Sequence, residues 1–307
     1  MYIHIHWHSH YSLLESIGKV GKIIDKAKEY GYPAIWITDY NGMYGIMEFY
    51  TKAKKADLKA ICGIELTITQ QLGKKPDLEQ YVVLIAKSYE WYQNLMKLTT
   101  IASTKGMAHV PTADFTTLEQ YAEGLICILG WPRWLLHGLH TSGHNAAKID
   151  EQIRRFQHVF GEDLYLEVIA QDYKLESNLK VINEYTMALA QQHGLPVIAS
   201  TNFHYIAAKD KKAFEVAMAI KDQRQLTDPA RRRVQGDYYI MKEDQVRDIL
   251  STNGYTDNQI QVWFDTNQAL CDSVDLVMPK WTAKFPTYKS PEDMVALYEK
   301  AKSGLVQ

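Results

Sequence analysis

The stretch YIHIHWHSH, residues 2–10, places an imidazole at every second residue. Alternate side chains of a β-strand share a face, so several ring nitrogens can point in one direction. Such nitrogens bind divalent transition metals, which makes this strand a candidate metal site. A half-exposed edge strand or the remnant of an expression tag would give the same alternation. The histidines concerned are His4, His6, His8 and His10.

Strand-like and helix-like periodicities alternate from this stretch to about Lys221. Apolar runs predict seven strands, at residues 2–8, 34–38, 60–67, 81–86, 125–129, 164–169 and 196–200. Amphipathic stretches predict helices at residues 20–30, 44–56, 90–102, 147–160 and 176–193. This order is typical of βα units with a parallel sheet, and a closed or nearly closed α/β barrel covers both faces and removes the edges.

Polar residues follow several of the predicted strands. His6 and His8 end the first strand, Thr38–Tyr40 end the second, Glu65 lies near the end of the third, and Thr201–His204 follow the seventh. The functional residues of a βα barrel lie at the carboxyl ends of its strands, so these side chains are expected to meet in one mouth. This convergence favours a metal site over an edge strand.

Composition narrows the class of protein. The chain has 307 residues, of which 46% are hydrophobic and 23% charged, as in a globular protein. The 34 basic and 36 acidic residues nearly balance, so any contact with DNA is expected to be local. No signal peptide and no membrane span is recognisable, which predicts a cytoplasmic protein. The three cysteines, Cys62, Cys127 and Cys271, form no C-x-x-C motif and are predicted to be buried thiols.

The periodicity changes after Lys221. We predict a barrel over residues 1–221, a helical C-terminal part over residues 222–279, with helices at 243–250 and 257–271, and a linker over residues 280–307. A basic triplet in the polar loop, Arg231, Arg232 and Arg233, is a candidate contact to DNA phosphate, and a solvated loop is an equally good interpretation.

The order of the polar motifs resembles the PHP superfamily (polymerase and histidinol phosphatase), and most closely its branch in bacterial DNA polymerase III alpha subunits. Matching segments include HIHWHSHYSLLES at residues 4–16, VVLIAKSYEWYQNLMKL at 82–98, FGEDLYLEV at 160–168, LPVIASTNFHYIAAKD at 195–210 and QLTDPARRRVQGDYYIMKEDQV at 225–246. The resemblance spans residues 1 to about 290. It implies a distorted, seven-stranded TIM-like barrel that binds up to three metal ions.

The resemblance also implies metal ligands. His6 and His8 match the H-x-H motif, Glu15 stands where the family usually has aspartate, Glu65 matches the bridging glutamate, and His204 matches the last histidine. Four other positions depart from the family pattern. Tyr40 and Tyr81 replace histidines, Trp131 replaces a cysteine or histidine, and Asn202 replaces an aspartate.

These replacements weaken the implied site. A phenol has a pKa of about 10, an indole N–H only donates, and an amide oxygen carries no charge. The ion of Glu65, Tyr81 and Trp131 is expected to be absent, and the ion of Glu15, Tyr40 and His204 to be severely weakened. The expectation is therefore either no metal or one weakly held Zn²⁺ or Mn²⁺, at His6, His8 and Glu65 with Asn202 as a fourth, neutral ligand.

Three functions follow from the resemblance. The first is a structural and partner-docking module of a replicative DNA polymerase, with a degenerate metal site and a separate proofreading exonuclease, the epsilon subunit, as partner. In this family the polymerase palm lies beyond residue 307, so DNA would be contacted through the parent enzyme. The second is an active metal-dependent phosphoesterase, either a 3'-5' exonuclease or histidinol-phosphatase-like. The third is a chain that keeps a metal only to hold the barrel mouth closed.

Overall fold

The computed structural model describes residues 2–75, 80–130, 146–280 and 293–304. Within these residues one sheet contains the strands β1 (Ala34–Ile37), β2 (Lys59–Thr69), β3 (Gln80–Ala86), β4 (Thr112–Asp114), β5 (Leu125–Leu129), β6 (Leu164–Ile169) and β7 (Val197–Ser200). The helices are α1 (Val20–Glu29), α2 (Ile46–Lys55), α3 (Tyr89–Thr104), α4 (Phe115–Gln120), α5 (Ala146–Phe160), α6 (Ser177–His193), α7 (Lys211–Lys221), α8 (Glu243–Thr252), α9 (Asp257–Asp272) and α10 (Asp293–Gly304).

The sheet confirms the prediction of a distorted TIM-like barrel. Its strands follow the order β1-β2-β3-β5-β6-β7, and β4 pairs with β2 beside this path. The prediction of a parallel sheet is wrong at β3, which runs antiparallel to both β2 and β5. Residues 70–79 are all that joins β2 to β3, and a parallel pair needs a crossover of about a dozen residues or more. A hairpin-like reversal is therefore the connection that this length allows.

The first segment does not form the regular strand predicted for residues 2–8. Trp7 forms an isolated parallel bridge with Phe203, and the His8 amide donates to the Phe203 carbonyl at 3.2 Å. On the other side, the Thr38 amide donates to the Trp7 carbonyl at 3.2 Å, while the Trp7 amide donates to the Thr38 hydroxyl at 3.1 Å. Side-chain bonding thus replaces part of a β-ladder, and the segment lies between the ends of β1 and β7.

The C-terminal helices α8 and α9 occupy the positions predicted for them. Asn267 of α9 donates its amide to the carbonyls of Ala199 and Ile3, and accepts a bond from the Ala199 amide. Glu243 of α8 accepts a bond from the Tyr2 amide at 2.8 Å. Residues Met1–Val277 form one compact unit, so the barrel and these helices share it.

The structure adds elements that the sequence did not predict. Strand β4 has three residues and α4 has six, both too short to show a periodicity, and α7 lies where no helix was assigned. Helix α10 lies within the predicted linker and belongs to a second unit, Met278–Gln307. As predicted, the three cysteines are buried free thiols. Across the described residues, no helix combines the length and the apolar character that a membrane crossing requires.

Candidate metal centre

The metal centre gathers His6 and His8 from the first segment and Glu65 from β2. The Oε2 atom of Glu65 lies 2.7 Å from Nε2 of His6 and 3.0 Å from Nε2 of His8. All three side chains are completely buried, and one ligand atom from each lies within 4.8 Å of the other two. In the described part of the chain, this is the one cluster of His, Cys, Asp or Glu residues spaced to hold a metal ion.

Glu167 of β6 orients the His6 ring. Both of its carboxylate oxygens lie 3.0 Å from Nδ1 of His6, so Nδ1–H donates to the carboxylate and Nε2 is left to face Glu65. A carboxylate behind a histidine fixes the tautomer that a metal ion requires. Glu167 was not among the residues predicted from the sequence, although a carboxylate within the apolar run LYLEVI is a signal for a buried functional residue.

Close backbone packing holds Glu167 in place. A Cβ atom added at Gly130, which follows β5, would lie 2.3 Å from the Cβ atom of Glu167. Such an approach is far inside van der Waals contact, so only glycine fits at residue 130.

Opposite charges in the cluster stabilise each other when no ion is bound. Burial alone lowers the pKa of His6, but the carboxylates of Glu167 and Glu65 outweigh it and raise this pKa to about 10. Burial raises the pKa of Glu65, and the His6 and His8 rings reverse that effect and lower it to about 2. A divalent ion would take the place of the His6 Nε2 proton between the same groups.

Several buried atoms around the cluster lack hydrogen-bond partners. Among the described residues, neither amide atom of Asn202 has a partner, and neither does Oε1 of Glu65. The Nε2 atom of His8 lies close to Glu65 but does not form a well-aligned hydrogen bond with it. Unsatisfied buried polar atoms are costly and rare. Two imidazoles, a carboxylate and a neutral amide oxygen therefore fit one divalent ion.

A second group of predicted ligands lines a cavity of ≈ 160 Å³ at the barrel mouth. These residues are Glu15, Tyr40 and His204. Tyr40 stacks flat on the His8 ring, with centroids 4.0 Å apart, and the His204 Nδ1–H donates to the Glu15 carbonyl at 2.8 Å. The Glu15 carboxylate forms an ion pair with Lys221, so a lysine already supplies its positive charge.

The reversed direction of β3 brings Tyr81 to the same end of the sheet. Tyr81 opposes Thr67 near the carboxyl end of β2, and its ring centroid lies 5.6 Å from that of Tyr40. A residue at the start of an antiparallel strand thus faces the mouth that the parallel strands reach with their ends. Trp131, the other position expected near Tyr81, lies outside the described residues.

The outer histidines of the opening stretch have other roles. His4 donates from Nε2 to the Met241 carbonyl at 2.9 Å and lies next to the Thr201 hydroxyl, 3.1 Å from Nδ1. Burial lowers the pKa of His4 to about 4. His10 is half-buried and packs against the Tyr11 ring. Neither belongs to the metal cluster, which takes only His6 and His8 from the alternating histidines.

Asp39 organises the loop that follows the histidines. Its carboxylate accepts bonds from the Ser9 amide at 2.6 Å, the Ser9 hydroxyl at 2.7 Å and the Ser12 hydroxyl at 2.6 Å. These three donors hold the loop that carries Glu15 toward the cavity. Asp39 therefore positions the mouth and is not among the clustered ligands.

The basic triplet divides into bound and exposed members. Arg231 forms an ion pair with Glu215 at 3.1 Å and donates to the Leu226 carbonyl, and its side chain is 8% exposed. Arg232 donates two bonds of 2.6 Å to Asp222. Arg233 is exposed. The structure thus commits two of the three predicted DNA-binding residues to contacts within the chain.

Comparisons with known proteins agree with this architecture. A family described as the PHP domain matches residues 4–171. The chain is 32% identical over 235 residues to DNA polymerase III subunit alpha of Aquifex aeolicus, covering 72% of this chain and 20% of that protein. It is also 32% identical over 262 residues to the same subunit of Borreliella burgdorferi, covering 81% of this chain and 22% of that protein. The chain spans about a fifth of the length of these relatives.

Among solved structures, this chain is similar to a two-domain protein of Bacteroides vulgatus that contains a predicted PHP-like metal-dependent phosphoesterase. The TM-score is 0.45. The two sequences are 12% identical, and the match covers 86% of this chain and 69% of that one. The family assignment comes from the sequence matches, which include both histidines of the metal centre, Glu65 and Glu167. The chain belongs to the PHP domain family.

Proposed function

We propose that this chain is the amino-terminal PHP region of a bacterial DNA polymerase III alpha subunit, and that it serves there as a structural and partner-docking module without phosphoesterase turnover. The sequence identity to alpha subunits over most of the chain supports the first part. The small number of good metal ligands at the mouth supports the second part, the absence of turnover.

One observation carries the loss of turnover. Glu15, the carboxylate expected to hold a further ion, is paired with Lys221, so the clustered ligands His6, His8 and Glu65 serve one ion. Two-metal phosphoester hydrolysis needs ions about 3.5–4 Å apart that stabilise the attacking and the leaving oxygen together. A single ion cannot bind both oxygens in this way.

The ion that fits the centre is Zn²⁺ or Mn²⁺. His6 and His8 offer imidazole nitrogens and Glu65 a carboxylate, a set that both ions accept. When bound, the ion supplies a positive charge that polarises a coordinated oxygen. Glu167 keeps His6 in the required tautomer, and the buried surroundings exclude bulk water from the donors.

The partners that we propose follow from the parent subunit. They are the remainder of the alpha subunit, the proofreading epsilon exonuclease, and DNA contacted through the parent enzyme in the cytoplasm. The exposed Arg233 is the member of the basic triplet best placed to contact a phosphate.

A phosphodiesterase assay tests the proposal. The purified chain is incubated with Mn²⁺ or Zn²⁺ on single-stranded DNA and on a chromogenic phosphate ester, with His6→Ala as the matched variant. We expect no difference between the native chain and the variant. Robust turnover that EDTA removes and His6→Ala abolishes would contradict the proposal.

An active one-metal phosphoesterase is the second candidate, because Oε1 of Glu65 and both amide atoms of Asn202 are buried and lack hydrogen-bond partners among the described residues. In a third candidate the ion has only a structural role at the mouth. Metal-dependent melting without turnover would favour this third function, and metal-dependent turnover the second.

A further inference from the structure

Helix α7 carries two side chains to the barrel mouth. Phe214 stacks on the His204 ring, with centroids 5.3 Å apart, and Lys221 at the last residue of the helix pairs with Glu15. Residues seven apart lie on one face of an α-helix, so the packing of Phe214 also directs Lys221 toward the cavity. A lysine at a helix C-terminus is favoured by the helix dipole as well.

The donors around this cavity do not fit a metal ion. Tyr40 offers a phenol, which binds metals poorly at neutral pH, and the Glu15 carboxylate already has an ammonium partner. His204 is the remaining member of the set that the family resemblance assigns to this position. The cavity therefore disagrees with the multi-metal pattern of the family.

Most charged groups around the cavity already have partners within the chain. Arg232 and Arg233 line it together with His204, and Lys221 reaches Glu15 from the end of α7. Asp222 pairs with Arg232 and Glu15 with Lys221, while the Glu176 carboxylate, which also lines the cavity, accepts a hydrogen bond from the Tyr238 hydroxyl.

We propose that Lys221 is a built-in cation that takes the place of a second metal ion at the mouth and keeps the Glu15 position free of metal. The inference rests on the proposed one-ion centre and extends it to a specific residue. An ammonium fixed to the chain neutralises Glu15 permanently, whereas a metal ion would exchange with the solution. Removing the ammonium should make Glu15 available as a ligand.

Metal titration of matched variants tests this. Tyr40→His supplies a better donor, and Lys221→Met removes the ammonium while keeping a long apolar side chain. We expect the native chain and Tyr40→His to bind one Mn²⁺ per chain by calorimetry and elemental analysis. The combined variant is expected to bind two, with the second ion held at least ~100-fold more tightly than by Tyr40→His alone.

Lys221→Arg combined with Tyr40→His is the matched control, because it keeps the positive charge, and it should bind one ion. If circular dichroism shows that Lys221→Met combined with Tyr40→His is unfolded, Lys221→Gln combined with Tyr40→His takes its place. A second ion in Tyr40→His alone, or one ion in a folded combination without the ammonium, would overturn the inference. Turnover by the native chain would overturn the proposed function instead, without changing these stoichiometries.

Discussion

Both carboxylate oxygens of Glu167 lie 3.0 Å from Nδ1 of His6. We predict that Glu167→Gln lowers the affinity of the centre for Zn²⁺ by about 10–100-fold, because the neutral amide makes the His6 ring a weaker ligand. Calorimetric titration of the purified chain measures this. Glu162→Gln, at an exposed carboxylate just before β6, is the control and should leave the affinity unchanged. Equal affinities for the two variants would show that Glu167 does not act on the ligand.

Asn202 precedes Phe203, the bridge partner of Trp7, and has a completely buried side chain and a φ of 44°. Asn202→Asp is predicted to raise the affinity for Mn²⁺ by about tenfold or more, because a carboxylate is a stronger ligand and aspartate tolerates the same backbone region. Competition with a fluorescent chelator measures the change. Asn202→Ala, which offers no oxygen, should not gain affinity, and an equal gain in both variants would contradict this role.

His4 should make the stability of the chain depend on pH. Burial lowers its pKa from 6.5 to about 4, so the unfolded chain binds more protons between these values. The contribution of His4 is therefore complete above pH 6.5 and is lost as the pH falls toward 4. The expected loss is about 3 kcal/mol in the free energy of unfolding, by linkage.

Urea denaturation in EDTA, at about pH 7 and about pH 4.5, measures this loss. The comparison is with His4→Gln, whose amide can still donate toward the Met241 carbonyl that His4 contacts. The acid sensitivity of Glu65 and His6 is common to both chains and cancels in the difference. The native chain should lose about 2–3 kcal/mol more than the variant. Parallel losses would show that His4 does not titrate in this range.

Two arginines of the basic triplet, Arg231 and Arg233, are expected to differ in their effect on stability. Arg231→Ala is predicted to lower the free energy of unfolding by about 2 kcal/mol, because Glu215 loses a charged partner. Arg233→Ala should stay within about 0.5 kcal/mol of the native chain, since its side chain is exposed.

Fluorescence anisotropy with single-stranded DNA at low salt completes the comparison, and Arg233→Ala is expected to weaken any binding. Urea denaturation ranks the two variants for stability. The reverse ranking in stability would contradict the contacts assigned to Arg231.

The sequence predicted much of the centre because its residues end strands. His6 and His8 come from the first segment and Glu65 from β2, and the barrel order alone places these two elements at one mouth. Glu167 was not predicted as a functional residue, because a single carboxylate in an apolar strand is equally typical of a solvent-facing position on an edge strand. Its role depends on which ring faces it, and that is set by tertiary packing.

The apolar pattern alone does not give the direction of β3. The run YVVLIA, residues 81–86, is buried on both faces, so its pattern is the same whether the strand runs parallel or antiparallel. The pairing of Lys221 with Glu15 was missed for a similar reason. It joins positions 206 residues apart, by the difference of their numbers, and requires α7 to dock against His204.

The first segment fills the gap between β1 and β7 through a bridge to Phe203 and bonds with Thr38. His6 and His8 belong to this segment, whereas Glu65 belongs to β2. An ion held by all three would connect the first segment to β2, at the place where side-chain bonds replace part of a regular β-ladder. The same ligand atoms would then hold the barrel closed, and a chelator would destabilise this chain as a reducing agent destabilises a protein held by a disulfide.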